Sequence, residues 1–389
     1  MRVFTKLFTV CTLFCLTTFA STTKGASPIV KVTTVSPSKI EYTTAKCGVK
    51  IETTANEEIQ KIGVCWGFEV SPEPDYNYSN ALVSDYNGVS YMPTIKNLEP
   101  GKTYHVRAFA KTKTNTFYGA DSTFTLKEAP ENAFLVANNK FVYFSPGNLQ
   151  YQASTNTWRF APHQYDCIGI KNERISETYD GWIDLFGWAT SGYDCDNGGC
   201  YKPYDFTTKF IYGPTDDQSL VDEYKNCDWG VYNPISNGGN QAGQWRTLTK
   251  DEWDYLMNGR SNASRKRFHC CIDGKNGVII LPDNHQWPDG LAINFSNFYN
   301  NTIYELEDWE EIESIGAIFL PTTGYRNQND VNGPTVASSG YYWTSSFGRI
   351  LGNSKLAYLM GFGLGTKVEC STFHAFSGCS VRLVKDVTF

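Results

Sequence analysis

Methionine and histidine are scarce in this 389-residue chain, with 4 of the first and 5 of the second. So few methionines exclude a Met-lined groove of the kind that repacks around many partners. The histidines, His105, His163, His269, His285 and His374, fall in separate segments, with no pair at metal-ligand spacing. Cys-x-x-Cys is missing as well, so no metal site is expected. There is no Gly-x-Ser-x-Gly elbow. The stretch Gly361-Phe362-Gly363-Leu364-Gly365-Thr366-Lys367 lacks the Gly-Lys-Ser/Thr ending of a phosphate loop and is expected to be a hairpin. An excess of basic charge is also missing. The net charge of −6 argues against nucleic acid or an anionic membrane as the principal partner. Beyond Ala20 no apolar run is long enough to span a bilayer.

What is present begins at the N-terminus. Arg2 and Lys6 precede an apolar run from Leu7 to Ala20, and Thr18-Phe19-Ala20 offers a small-x-small cleavage site, the layout of a secretory signal peptide over residues 1–20. Neither Cys11 nor Cys15 follows the small residues of a lipoprotein signal, so no lipid anchor is expected. No sorting tail is read after Val384, and the mature chain is expected to be secreted or held in the cell envelope. Export changes the meaning of the cysteines. Those after Ala20 form an even set, which favours disulfides over catalytic thiols. A content of 41% hydrophobic and 19% charged residues describes a globular chain, long enough for two or more domains.

From Ile29 to Leu126 short alternating strands are separated by Ser36-Pro37-Ser38, Pro72-Glu73-Pro74, Tyr86-Asn87-Gly88 and Pro100-Gly101. About seven strands in roughly 100 residues predict a β-sandwich, and Tyr104 stands where a tyrosine corner would. Cys47 and Cys65 fall on neighbouring predicted strands and are expected to pair. Cys195 and Cys200 are expected to close a local bridge around Asp196-Asn197-Gly198-Gly199. Gly63-Val64-Cys65-Trp66-Gly67, Leu98-Glu99-Pro100-Gly101-Lys102-Thr103-Tyr104 and Val106-Arg107-Ala108-Phe109-Ala110 resemble a bacterial fibronectin type III domain over residues 28–127. That resemblance implies a spacer. Residues 128–135 then read as a linker.

Beyond it the pattern changes. Thr249-Lys250-Asp251-Glu252 predicts a capped helix carrying Trp253, Leu256 and Met257, with Gly259 as its stop. A second helix is expected from Glu305 to about Ser314. Gly277-Val278-Ile279-Ile280-Leu281-Pro282 and its echo Gly316-Ala317-Ile318-Phe319-Leu320-Pro321 predict two core strands, and Tyr341-Tyr342-Trp343 and Leu356-Ala357-Tyr358-Leu359 predict more. Helices on an antiparallel sheet make an α+β plan. Gly181-Trp182-Ile183-Asp184-Leu185-Phe186-Gly187-Trp188, Trp245-Arg246-Thr247-Leu248-Thr249, Leu320-Pro321-Thr322-Thr323-Gly324-Tyr325-Arg326 and Gly340-Tyr341-Tyr342-Trp343-Thr344-Ser345-Ser346 resemble the Fibrobacter major paralogous domain, over residues 136–386. The resemblance implies a C-type-lectin-like fold and a binding role outside the cell.

The same broad fold includes formylglycine-generating enzymes, whose copper site needs a close pair of late cysteines. Cys370 and Cys379 are the late cysteines here, and the flanking Arg-Gly-Gly-Ser motif is missing. A non-enzymatic chain without cofactor is therefore expected, with that enzyme class and a structural subunit of a surface assembly as alternatives. The oxygen-rich Asn327, Asn329, Asp330 and Asn332 read as a turn before they read as a calcium loop. Trp182, Trp188, Trp245, Trp253, Trp309 and Trp343 are assigned to the core, and Arg265-Lys266-Arg267 to a solvated face. Recognition of a glycan or a surface protein is placed on late loops, at Arg326, Asn329, Asp330, Phe347, Arg349, Phe373 and His374.

Overall fold

Alternation of inward and outward side chains builds the first half. The computed structural model describes residues 30–53, 59–88, 90–193, 202–204, 219–328, 330–332, 338–352 and 354–389. The expected signal segment 1–20, Cys195, Cys200 and Asn329 lie outside the described residues. Strands β1 (Val30–Ser38), β2 (Ala45–Thr53), β3 (Lys61–Gly67), β4 (Ala81–Asp85), β5 (Thr94–Ile95), β6 (Thr103–Lys111) and β7 (Thr116–Thr125) form two sheets, β1-β2-β5 and β4-β3-β6-β7. Their inward faces share a core of Cys47, Val49, Ile62, Val64, Ile95, Val106 and Phe124. The Tyr104 hydroxyl accepts from the Glu99 N–H at 3.1 Å, the bond of a tyrosine corner.

The same alternation overturns the Cys47–Cys65 pairing. Both are free thiols. Ile62 and Val64 point into the shared core, so Cys65 points out of the opposite face, against Ala81 and Phe109. Its thiol lies 3.2 Å from the Pro72 carbonyl. Burial pushes both thiols up to about 12, so neither is a nucleophile at neutral pH.

The second half is β-rich too. Strands β8 (Phe134–Ala137), β9 (Lys140–Phe144), β10 (Leu149–Gln152), β11 (Thr157–Phe160), β12 (Trp182–Ile183) and β13 (Arg246–Thr247) lead to β14 (Arg267–Ile272) and β15 (Lys275–Ile280). After these come β16 (Ile303–Tyr304), β17 (Ile318–Pro321), β18 (Tyr325–Asn327), β19 (Asp330–Asn332), β20 (Ser339–Leu351), β21 (Ser354–Gly363), β22 (Glu369–His374) and β23 (Leu383–Asp386). The sheet orders are β11-β10-β12, β13-β23-β9-β8, β16-β14-β15-β17, β18-β19 and β20-β21-β22. The two echoing segments lie side by side in antiparallel register, Val278 opposite Leu320 and Ile280 opposite Ile318. Among the described residues no helix is long and apolar enough to cross a membrane.

The expected helices form where their caps stand. Thr249 accepts from the Glu252 N–H at 3.2 Å, and Glu252 accepts from the Thr249 N–H at 2.9 Å. Trp253, Leu256 and Met257 follow on the buried face, and a π turn over Tyr255–Gly259 ends the segment. The second helix runs Leu306–Ser314 after Glu305 and buries Trp309 and Ile312. Trp188, Trp245, Trp253, Trp309 and Trp343 are all buried. Trp182 is not: it is half-exposed under the Arg159 guanidinium, 3.7 Å from its ring centre.

Glu252 also makes the clearest pH-sensitive contact. Desolvation opposes its charge, but the Arg246 guanidinium at 2.7 and 2.8 Å and the Lys140 ammonium at 2.7 Å outweigh it and hold the carboxyl at about 2. A folded pKa below the ordinary 4.5 gives stability that is present above pH 4.5 and lost as pH falls towards 2. Glu252→Gln is therefore expected to cost more at pH 6 than at pH 3, the gap closing by about 2 kcal/mol in urea unfolding. An equal cost at both pH values would contradict the assignment.

Residues 128–135 are packed, with Ala129, Ala133, Phe134 and Leu135 buried. The Asn138-Asn139 turn between β8 and β9 inserts its carboxamides into the sandwich. Asn139 Oδ1 accepts from the Thr43 N–H at 2.8 Å, and Asn138 Oδ1 from the Asn97 N–H at 2.9 Å. Asp283 fixes the start of the second half from below: its carboxylate accepts from the Leu135 N–H, Arg260 and Lys266 at 2.7 to 2.8 Å. Lys266 is thus buried, contrary to the solvated face expected for Arg265-Lys266-Arg267. Arg267 is half-buried and donates to the Met257 carbonyl.

Candidate functional site

The long hairpin β20–β21, with β22 along its outer edge, has two faces because its residues alternate. Tyr342, Met360 and Phe362 pack into one core cluster, and Trp343, Ala357 and Leu359 into another. At the open end of the second face Tyr341 and Phe373 are only half-buried, and Tyr325 joins them. The Tyr341 and Phe373 rings are nearly parallel, 8° apart with centres at 5.8 Å. Tyr325 meets them edge-on, at 5.7 and 5.2 Å.

Beside these rings an open groove of about 290 Å³ runs along the strand ends. Tyr341, Ser339, Ser371 and Thr366 line it together with the exposed Lys367 and Glu369. Gly363 keeps it open, since a Cβ there would come within 2.9 Å of the Ser339 hydroxyl. The expected hairpin is present: β21 ends at Gly363 and β22 begins at Glu369. Lys367 and Glu369 are exposed and make no ion pair among the described residues. The groove therefore offers a cation, an anion, hydroxyls and aromatic carbon within one concavity.

Two of the expected ligand residues are corrected by their burial. Arg326 is fully buried. Its backbone exchanges two 2.8 Å bonds with Gly378, its side chain lies over that glycine, and its guanidinium donates to the Gln328 carbonyl at 2.6 Å. Phe347 is a core residue packed against Trp188, because β20 continues through irregular register to Leu351 where a loop was expected. Asp330 is exposed, paired across a small hairpin with Asn327, and Arg349 is exposed on β20 opposite Leu356. Phe373 belongs to the aromatic cluster. Its neighbour His374 stacks on Phe376 at 5.0 Å.

Sequence reading missed Tyr325, Tyr341, Ser371, Lys367 and Glu369. Tyr341 reads as part of a core strand, although its place two residues before the buried Trp343, at the strand's start, marks it as the half-buried end of that row. Cys370 and Cys379 are not brought together: Cys370 packs against the cluster of Met360 and Phe362, and Cys379 sits among Phe186 and Trp188. Burial pushes both thiols up.

No family model matches this chain, and no curated relative does. Among solved structures it is similar to the sensor domain of the anti-sigma factor RsgI4 of Pseudobacteroides cellulosolvens, at 17% identity and a TM-score of 0.20 over 26% of this chain and 96% of that one. A solution structure of that sensor domain matches at 16% identity and a TM-score of 0.19, over 26% of this chain and 76% of that one. A computationally redesigned β-sandwich protein matches at 25% identity and a TM-score of 0.18, over 26% and 96%. Likeness this slight carries nothing about ligand or role.

Proposed function

We propose that the chain is an exported, non-enzymatic recognition protein, secreted or held in the cell envelope. In this reading a fibronectin type III-like sandwich over residues 28–127 carries a C-type-lectin-like domain over 136–386, which binds a glycan or a surface protein outside the cell. The observation that supports it is the groove beside Tyr341 and Phe373. Sugar hydroxyls donate and accept at once, and sugar C–H faces lie flat on aromatic rings. Lys367 and Glu369, without an ion pair among the described residues, the hydroxyls of Ser339, Thr366 and Ser371, and the half-exposed rings match both demands. A neutral glycan is the favoured ligand, and a protein surface is the second reading. The fold-level resemblance alone assigns no ligand.

The test is array binding of the full mature chain against glycans and extracellular proteins, repeated with Lys367→Ala/Glu369→Ala. Both changes are on exposed side chains and should leave the melting temperature unchanged. Binding to a neutral glycan that falls about ten-fold or more in the variant is the expected outcome, from the loss of one or two hydrogen bonds to charged groups. Equal binding by both forms would move the site away from this groove.

A further inference from the structure

We infer that the β-sandwich is not a bare spacer but carries a second ligand site, for an acidic saccharide, in the cleft between β4 and β5 where Trp66 and Tyr91 stand beside Lys96. One side of the sandwich is closed by a bond between the two sheets. There Thr34 of β1 reaches the opposite sheet, its hydroxyl accepting from the Ala108 N–H at 3.0 Å and donating to the Ala120 carbonyl. On the other side β5 is only two residues long, and the sheets part into a cleft of about 670 Å³. That volume is in the range of small-molecule sites.

Both rings in the cleft are mounted on fixed backbone. Trp66 pairs with Val106, and its N–H donates to the Asn80 carbonyl at 3.0 Å. Tyr91 exchanges two backbone bonds with Val49, at 2.9 and 3.2 Å. Rings held in this way lose little freedom when a ligand stacks on them.

The spare hydrogen-bonding groups decide the class of ligand. Among the described residues the Trp66 indole N–H, the Lys96 ammonium and the hydroxyls of Tyr91 and Thr94 have no protein partner. Asn97 Oδ1 is already taken by the Tyr255 hydroxyl at 3.3 Å, which leaves the amide N–H₂ of that side chain as a further donor. The carboxylates of this region are engaged elsewhere: Asp75 by the N–H and hydroxyl of Ser79, and Glu99 by Asn262 at 2.9 Å. A cleft with aromatic walls, five spare groups able to donate, of which one is cationic, and no carboxylate in its lining is built for a hydroxylated ring bearing a carboxylate. The first groove, with Glu369 in its lining, is not.

The experiment is titration calorimetry of the full mature chain with trigalacturonate and with neutral maltotriose, alongside Lys96→Ala, Trp66→Phe and the control Lys367→Ala. Trp66→Phe keeps an aromatic ring in the packing while removing the indole donor and part of the stacking area. Expected is binding of trigalacturonate that Lys96→Ala weakens about ten-fold, Trp66→Phe weakens several-fold, and Lys367→Ala leaves unchanged. Maltotriose should bind this cleft at least ten-fold more weakly than the acid. The inference is overturned if trigalacturonate does not bind, if Lys96→Ala and Trp66→Phe both bind it as the parent does, or if the neutral sugar competes equally. Loss of binding in Lys367→Ala alone would also overturn it, by placing the acid in the other groove.

Discussion

Asp283→Ala is expected to lower the unfolding free energy of the second half by about 3–5 kcal/mol, the range for removing one partner of a buried ion pair. Asp283 and Arg260 have side chains 1% and 0% exposed, and Lys266 is 6% exposed. With the carboxylate gone, a guanidinium and an ammonium would be left buried together. The Leu135 N–H would also lose its acceptor, and with it one of the ties that hold β8 in place. Asp386→Ala is the matched control. Its carboxylate also meets an arginine, at 2.6 Å from Arg246, but is 48% exposed, so a loss under about 1 kcal/mol is expected. Urea unfolding of the two variants separates these outcomes. Equal, small losses would mean that water reaches Asp283.

Phe347→Ala and Phe373→Ala should part company in the same assay. Phe347 fills the core beside Trp188, and truncating it should cost about 3–5 kcal/mol through lost burial and the cavity left behind. Phe373 is half-buried at the edge of that cluster, so its truncation should cost about 1–2 kcal/mol, roughly in proportion to the smaller area covered. Ligand binding should show the reverse order, because Phe373 belongs to the aromatic surface beside the groove. A Phe347→Ala variant that folds as well as the parent and binds less would restore Phe347 to the ligand surface and contradict its burial.

The contrast between these two phenylalanines shows which features were legible in the sequence. Local signals were. The Thr249–Glu252 capping box, the tyrosine corner at Tyr104 and the paired echo of Gly277–Pro282 with Gly316–Pro321 each depend on residues a few positions apart or on plain repetition. Facing was not. Whether Cys65 looks inward is set by its parity with Val64, and the strand pattern alone predicted neighbours without saying which face each presented. Arg326 is buried because a bridge from Gly378, far along the chain, covers it. Phe347 reads as a loop residue because β20 runs through irregular register, and such irregularity leaves little trace in hydrophobic periodicity. The groove itself is assembled from the starts of β20 and β22 and the end of β21. Its members are ordinary serine, tyrosine, lysine and glutamate side chains until the hairpin brings them together.

Hydrogen–deuterium exchange of the full chain, with and without a glycan found on the array, tests the central claim most directly. The account predicts slowed exchange confined to the open ends of β20, β21 and β22, around residues 338–341 and 361–371, with the rest of the second half unchanged. Slowed exchange at other surfaces of residues 136–386, with this segment unaffected by saturating ligand, would contradict it.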